Sequence, residues 1–335
     1  MTRTRIVAFA GVCLAALGLA AAAIIKGAQQ AESQRRPTAA TERDQALDFA
    51  RVRAEPHLVF RSTAMGPTFG NLGVVPLDRP DGPRASTNVA CERIYATRTH
   101  GLCLASDAGI VTSYQAVMLD ATLAPTTEFP LTGIPSRVRL SPGDRWTAMT
   151  IFVSGHSYVQ TGFSTATTIR DANTGAPYAN LEDFSVHRDG KVYRSVDLNV
   201  WGVTFADEDR FYATVGSRGK TWLVEGSVAG REMHTLRENA ECPSLSPDGT
   251  RIAYKFRTGN GGWRLHVLDL HTDADIALAE TRSVDDQVEW LDDKRVLYGL
   301  PRPDSAETDV WVAAADGSGS PAVFLPLAWS PAVVR

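Results

Sequence analysis

Several things are scarce in this 335-residue sequence. A formal net charge of −4, with no basic stripe or patch, removes the electrostatic reason to expect nucleic-acid binding. No H-E-x-x-H and no close histidine pairing occurs among the seven histidines, so zinc chemistry lacks a motif. GNGGW and DGSGSP lack the lysine and helix context of a phosphate-binding loop. GHSYV, from Gly155, begins like a nucleophile elbow but ends in Val159 where the final glycine belongs, so Ser157 reads as a loop serine. The acidic runs Asp207-Glu208-Asp209 and Asp292-Asp293 miss the spacing of a calcium loop and read as solvated turns. No long helical period is present, and no complete catalytic motif.

Long apolar runs are also few, and one stands out. Arg3 and Arg5 precede the 20 uncharged residues Ile6 to Ile25, which end at Lys26. At about 1.5 Å per residue this run just spans a hydrocarbon core of about 30 Å. A cleaved signal usually has an apolar region of about 7 to 15 residues, although Ala20 to Ala22 offer small residues for cleavage. The expectation is an uncleaved signal anchor over residues 1–26, with a secreted form after cleavage as the alternative. Arginines before the span place the N-terminus in the cytoplasm and the body outside. Residues 27–55 are polar and Ala-rich and read as a flexible tether with a short helix.

Only four cysteines occur. Cys13 lies in the apolar run. Cys91 and Cys103 are the local pair for a bridge in an exported domain. A hairpin turning near His100 and Gly101 sets Cys103 opposite residues 96–98 rather than Cys91, so the pairing stays open. Cys242 is then an odd thiol, buried and inert.

Over the whole chain, 44% hydrophobic and 21% charged residues are ordinary for a folded protein, and the texture changes beyond residue 55. Short runs of Val, Ile, Leu, Thr, Tyr and Phe alternate with Gly, Pro, Asp and Asn clusters, which is an all-β pattern. In CPSLSPDGTRIAYKF, from Cys242, Asp248-Gly249 supplies the positive φ angles of a tight hairpin between residues 243–246 and 251–256. WRLHVLDL and IALAE follow as third and fourth strands, giving a four-stranded antiparallel unit of about 40 residues, the size of a propeller blade. RLSPGDRWTAMTIF, VTFADEDRFYATV and VEWLDDKRVLYGL repeat the arrangement from Arg139, Val203 and Val288. HLVFRST with NLGVVPLD, and CERIYATRTHGLCLASD with SYQAVMLDATL, add two units. The count is six, with insertions in the third and fourth and the C-terminal AVVR as closing strand.

SLSPDGTRIAYKF followed by LHVLDLHT resembles the repeat of TolB-type β-propellers, in which a Ser-Pro-Asp-Gly turn joins the two innermost strands of a blade. PSRVRLSP, NVWGVTF, ECPSLSPDG and DDQVEWLDD are similar to actinobacterial exported proteins of that kind, over residues 56–335. The resemblance implies a six-bladed β-propeller of four-stranded antiparallel blades, in an envelope protein that binds something. TolB itself carries a separate α/β domain ahead of its propeller, whereas a short polar stretch stands there in this chain, so its role in an envelope-spanning system is not carried over.

A propeller brings residues at the start of each innermost strand to one mouth of its central channel. In this register the set is Arg137, Asn199, Trp201, Glu241, Asp285, Asp286 and Gln287. Glu241, Asp285 and Asp286, with Asn199, form an oxygen set suited to Ca2+ or to polar groups of a ligand. The alternative is a hydrated channel whose polar residues satisfy one another. Trp201, Trp222, Trp263, Trp290 and Trp311 recur near blade strands as inter-blade packing. The leading expectation is a non-catalytic binding or scaffold propeller outside the cytoplasmic membrane, taking an envelope protein or cell-wall ligand. The alternative is a calcium-dependent lactone or ester hydrolase with its site in the channel.

Overall fold

The computed structural model describes residues 49–109, 111–153 and 164–335. The apolar run 6–25, most of the tether, and the segment containing Ser157 lie outside these. Among the described residues no helix is long and apolar enough to cross a membrane.

Among the described residues, twenty-six strands make six sheets around one axis. Blade 1 holds β1 (His57–Ser62), β2 (Asn71–Pro76) and β3 (Ala85–Ala90), and blade 2 holds β4 (Arg93–Ala96), β5 (Gly101–Ala108), β6 (Thr112–Leu119) and β7 (Pro125–Leu131). Blade 3 is β8 (Ile134–Leu140), β9 (Trp146–Val153), β10 (Ser164–Asp171) and β11 (Pro177–Asn180). An inserted hairpin follows, β12 (Ser185–Arg188) and β13 (Lys191–Tyr193). Blade 4 is β14 (Asn199–Phe205), β15 (Arg210–Ser217), β16 (Lys220–Ser227) and β17 (Glu232–Glu238), with β12 added in parallel to the outer strand β17. Blade 5 is β18 (Glu241–Leu245), β19 (Arg251–Arg257), β20 (Trp263–Asp269) and β21 (Asp275–Ala277). Blade 6 is β22 (Glu289–Asp292), β23 (Arg295–Pro301), β24 (Thr308–Ala314) and β25 (Ala322–Leu325).

The last strand, β26 (Ala328–Val334), pairs antiparallel with β1 and becomes the innermost strand of blade 1. The C-terminal AVVR therefore closes the ring, as its sequence suggests. A ring closed this way ties the two ends of the fold together by main-chain hydrogen bonds.

Six apolar clusters hold the blades together, one between each pair of neighbours. Leu102 and Met118 of blade 2 meet Val138 and Met149 of blade 3, for example, and Leu297 and Val310 of blade 6 meet Leu58 and Phe60 of blade 1. Each sheet thus buries both faces, which explains why the inner strands read as near-continuous apolar runs rather than a strict alternation. The short helix α1 (Phe49–Ala54) ends the tether and sets Val52 into the cluster between blades 1 and 2.

The Ser-Pro-Asp-Gly turn differs in one detail from expectation. Gly249 has φ +71°, but Asp248 does not enter the left-handed region. The Gly249 amide donates to Ser246 O at 2.8 Å and the Ser246 amide to Arg251 O at 2.8 Å, so the four residues 247–250 connect the strands, within the expected bounds. Asp248 caps the turn instead, accepting from the Ser246 hydroxyl at 2.5 Å and the Thr250 amide at 3.0 Å. The acidic runs hold similar turns: Asp207 accepts the amides of Asp209 and Arg210, and Asp292 accepts the Lys294 amide.

Cys91 and Cys103 are joined as a disulfide, with Cα atoms 5.5 Å apart. The β4–β5 hairpin turns at Arg98 and Thr99, two residues earlier than expected, which sets Cys103 opposite Ile94 rather than residues 96–98. That shift brings Cys103 within bridging reach of Cys91, two residues ahead of β4. Cys242 is a free, buried thiol.

Candidate functional site: the channel mouth

The innermost strands begin at one mouth of the channel, and blade 6 reaches across it. The stretch from Asp285 to Glu289, which leads into β22, bonds to all five other blades. Asp285 accepts from Lys255 Nζ of blade 5 at 2.6 Å and from Arg137 of blade 3 at 3.4 Å. Asp286 accepts from Arg93 of blade 2 at 2.9 Å and from the Gly299 amide at 3.1 Å. Gln287 Nε2 donates to Val203 O of blade 4 at 3.0 Å and to Pro243 O of blade 5 at 2.8 Å. Arg139 of blade 3 donates to Val288 O at 2.9 Å and stands 3.6 Å from Glu289, which accepts the Val333 amide of blade 1.

These contacts converge at the mouth. The cavity left between Arg93, Arg137 and Gln287 is about 10 Å³, close to the lower limit for one water molecule. Gln287 Oε1 and Arg137 Nε are buried there without a protein partner.

Glu241, at the head of β18, is 3% exposed and accepts from Arg257 Nε and NH2 at 3.2 and 3.1 Å. Its other oxygen lies 4.0 Å from Lys255 Nζ. Lys255 and Arg257 both lie against the Trp263 ring, at 4.4 and 5.0 Å from its centroid. Counting Arg139 and Glu289, the mouth carries five cations, Arg93, Arg137, Arg139, Lys255 and Arg257, against the four carboxylates of Glu241, Asp285, Asp286 and Glu289. Burial alone pushes the Asp285 carboxyl up, but Lys255 and then Arg137 outweigh it and hold the group below its ordinary value. At Glu289 burial prevails over Arg139 and the carboxyl is raised.

The oxygen set expected for Ca2+ does not converge. The Lys255 ammonium stands between Asp285 and Glu241, and Asp286 turns to Arg93. Cations already neutralise all three carboxylates: Arg257 of the same blade at Glu241, Lys255 of blade 5 at Asp285 and Arg93 of blade 2 at Asp286. Asn199 turns to blade 3, where its Oδ1 accepts the Thr165 amide at 2.8 Å. Trp201 is buried within blade 4, its ring lying where a Cβ on Gly216 would stand. Arg137, Glu241, Asp285, Asp286 and Gln287 do come together. Of the other tryptophans, Trp290 bridges blades, its Nε1 donating to Ser244 O at 2.8 Å.

No family model matches the sequence, and no curated protein matches it. Solved structures do match. TolB from Acinetobacter baumannii superposes with a TM-score of 0.58 at 16% identity, over 84% of this chain and 67% of that one. The fold is that of a TolB-type propeller. A putative TolB from Agrobacterium tumefaciens gives 0.49 at 11% identity, over 82% of this chain and 90% of its own. A puromycin-hydrolyzing peptidase of Mycobacterium tuberculosis gives 0.47 at 14%, over 77% and 42%. At these identities the similarity is one of fold.

Sequence reasoning missed two features of this TolB-type propeller. Arg93, Arg139, Lys255 and Arg257 were not in the expected set, although each lies on an inner strand near that mouth and is the charged partner a buried carboxylate requires. Nor were any histidines expected to pair. Among the described residues, His187, Glu232 and His234 alone form a group of metal-ligating side chains, all within 4.8 Å of one another. The pairing comes from the parallel contact of β12 with β17, across 47 residues of sequence that carry no local signal.

Proposed function

We propose that this chain is a non-catalytic binding or scaffold propeller, displayed on the outer side of the cytoplasmic membrane by the apolar run 6–25, with an envelope protein or cell-wall ligand as partner. The observation that supports it is the use of the channel-mouth charges. Glu241, Asp285, Asp286 and Glu289 are all engaged by cations or amides of other strands, and Gln287 lies across the axis. Groups so engaged build a rigid polar surface rather than a free base or an open ligand sphere. Asp285, whose side chain is 61% exposed, is the member that presents charge to an incoming partner. The Cys91–Cys103 disulfide suits an oxidising compartment.

The test has two arms. A photo-crosslinker at position 285 in cells is expected to trap a discrete envelope partner, while one on the far ends of the same strands is not. Purified protein is expected to show the same melting temperature in calcium and in chelator, and no turnover of lactones or esters. Calcium-dependent hydrolysis that disappears in Asp285→Asn would sink the proposal and restore the hydrolase alternative.

A further inference from the structure

The histidine pair on the rim of blade 4 carries chemistry that neither the channel nor the binding role uses. β12 joins β17 in parallel register with His187 beside His234, and Glu232 lies two residues before His234 on the same face. Glu232 Oε2 is 3.6 Å from His187 Nε2, and Glu232 Oε1 is 3.7 Å from His234 Nε2. The two Nε2 atoms therefore flank one carboxylate. The imidazole rings stack with centroids 4.6 Å apart and planes 16° from parallel.

Three observations set these side chains apart. Elsewhere His57, His100 and His266 direct a ring nitrogen to a neighbouring oxygen. Among the described residues, His187 and His234 make no such bond beyond their shared approach to Glu232. Neighbouring cations are also otherwise engaged: Arg188 lies over Trp222, and Arg231 lies over Tyr178 and donates to its carbonyl. Finally, the spacing is near that of ligands around one ion. Two donors bound to zinc at about 2.0 to 2.1 Å in a tetrahedron stand about 3.3 Å apart; the two His–carboxylate separations, to different oxygens of Glu232, exceed this by a few tenths of an ångström, and one ligand atom from each of the three residues lies within 4.8 Å of the others.

We infer that His187, Glu232 and His234 form a binding site for a divalent transition ion, Zn2+ foremost, that clamps the inserted β12–β13 hairpin to the outer strand of blade 4. Two imidazoles and one carboxylate suit a borderline cation, whereas Ca2+ and Mg2+ prefer all-oxygen sets. Binding requires the stacked rings to splay so that both lone pairs meet at one point. Their partial exposure, 24% at His187 and 55% at His234, leaves room for that rotation. Three protein ligands leave a fourth position to water. The ligands come from two segments joined by only three paired residues, so the ion adds a second fastening to the insertion.

The experiment uses the full chain without a polyhistidine tag, stripped with chelator and titrated with ZnCl2 by calorimetry, with metal content measured after gel filtration. One zinc per chain is expected. Glu232→Gln and His234→Ala should each weaken binding about tenfold or more, because removing even an outer-shell partner of a metal site costs about 10- to 100-fold. Amide exchange across residues 185–193 should slow when zinc is added to the wild type and not in His187→Ala/His234→Ala. Circular dichroism and the unliganded melting curve verify that the variants fold. Substoichiometric zinc in the wild type, or undiminished affinity in the folded double variant, would overturn the assignment.

Discussion

Arg93 NH1 donates to Asp286 Oδ1 at 2.9 Å, joining the second blade to the sixth across 193 residues of sequence. Both side chains are largely withdrawn from water, at 15% and 2% exposure. Burial lowers the Arg93 pKa and the Asp286 charge opposes that shift. Asp286→Ala would leave the guanidinium buried without its counter-charge, which costs about 3 to 5 kcal/mol. Urea denaturation should show this loss in full without added calcium; a loss that appears only in calcium would mean that Asp286 serves a metal.

Two glycine-to-alanine changes should separate backbone strain from steric conflict. Gly249 sits at φ +71° with nothing within 4 Å of a Cβ placed on it, so Gly249→Ala meets only the left-handed penalty of about 1 to 2 kcal/mol. A Cβ on Gly226 would stand 2.3 Å from the Phe211 ring, which is fully buried and cannot swing away. Gly226→Ala should therefore cost about 3 kcal/mol, at the upper end for overpacking. Denaturation midpoints of the two variants check the ranking, and equal losses would contradict it.

Glu182 introduces a pH dependence. Burial pushes its carboxyl up to about 7, against the opposing hydrogen bonds from the Thr167 amide, the Thr165 hydroxyl and the Val200 amide. An unfolded glutamate titrates at about 4.3, so the folded state holds the proton more tightly. Stability from this group is then fully present below the unfolded value and falls as pH rises towards 7. Urea midpoints measured from pH 4 to 8 should decline more steeply in the wild type than in Glu182→Gln. Parallel curves would show that the carboxyl is not raised.

The Cys91–Cys103 bridge closes a separation of 12 residues. By loop-closure entropy such a bridge contributes about 3 kcal/mol. Replacing both cysteines with alanine, or reducing the bridge, should lower stability by about that amount while leaving the single transition of the remaining propeller intact. An unchanged midpoint after verified reduction would argue against a stabilising contribution from the bond.

Much of the fold could be read from residues close in sequence. Ser246 to Arg251 is a turn held by bonds among its own residues, Gly249 to Ser246, Thr250 to Asp248 and Arg251 to Ser246, so its chemistry is visible in the sequence, and its recurrence marks the blades. The role of AVVR as closing strand was legible because a ring of blades needs one strand from the chain end. The hairpin at Cys91 was misread by two residues because Arg98 and Thr99 carry none of the usual glycine or asparagine turn signals.

The candidate site was legible only in part. Position before an inner strand brings Glu241, Asp285, Asp286 and Gln287 to the mouth, and that follows from propeller geometry and register. Which charge each one meets does not, because the partners come from other strands and blades, with Arg93 and Arg137 far from Asp286 and Asp285 in the chain. His187 and His234 are the clearest case. Strand alternation places each residue on a face, but the parallel contact that sets the two rings together is a long-range pairing of an insertion with an outer strand. Local preference determines strands and turns; the identity of neighbours across blades is decided by how the closed ring packs.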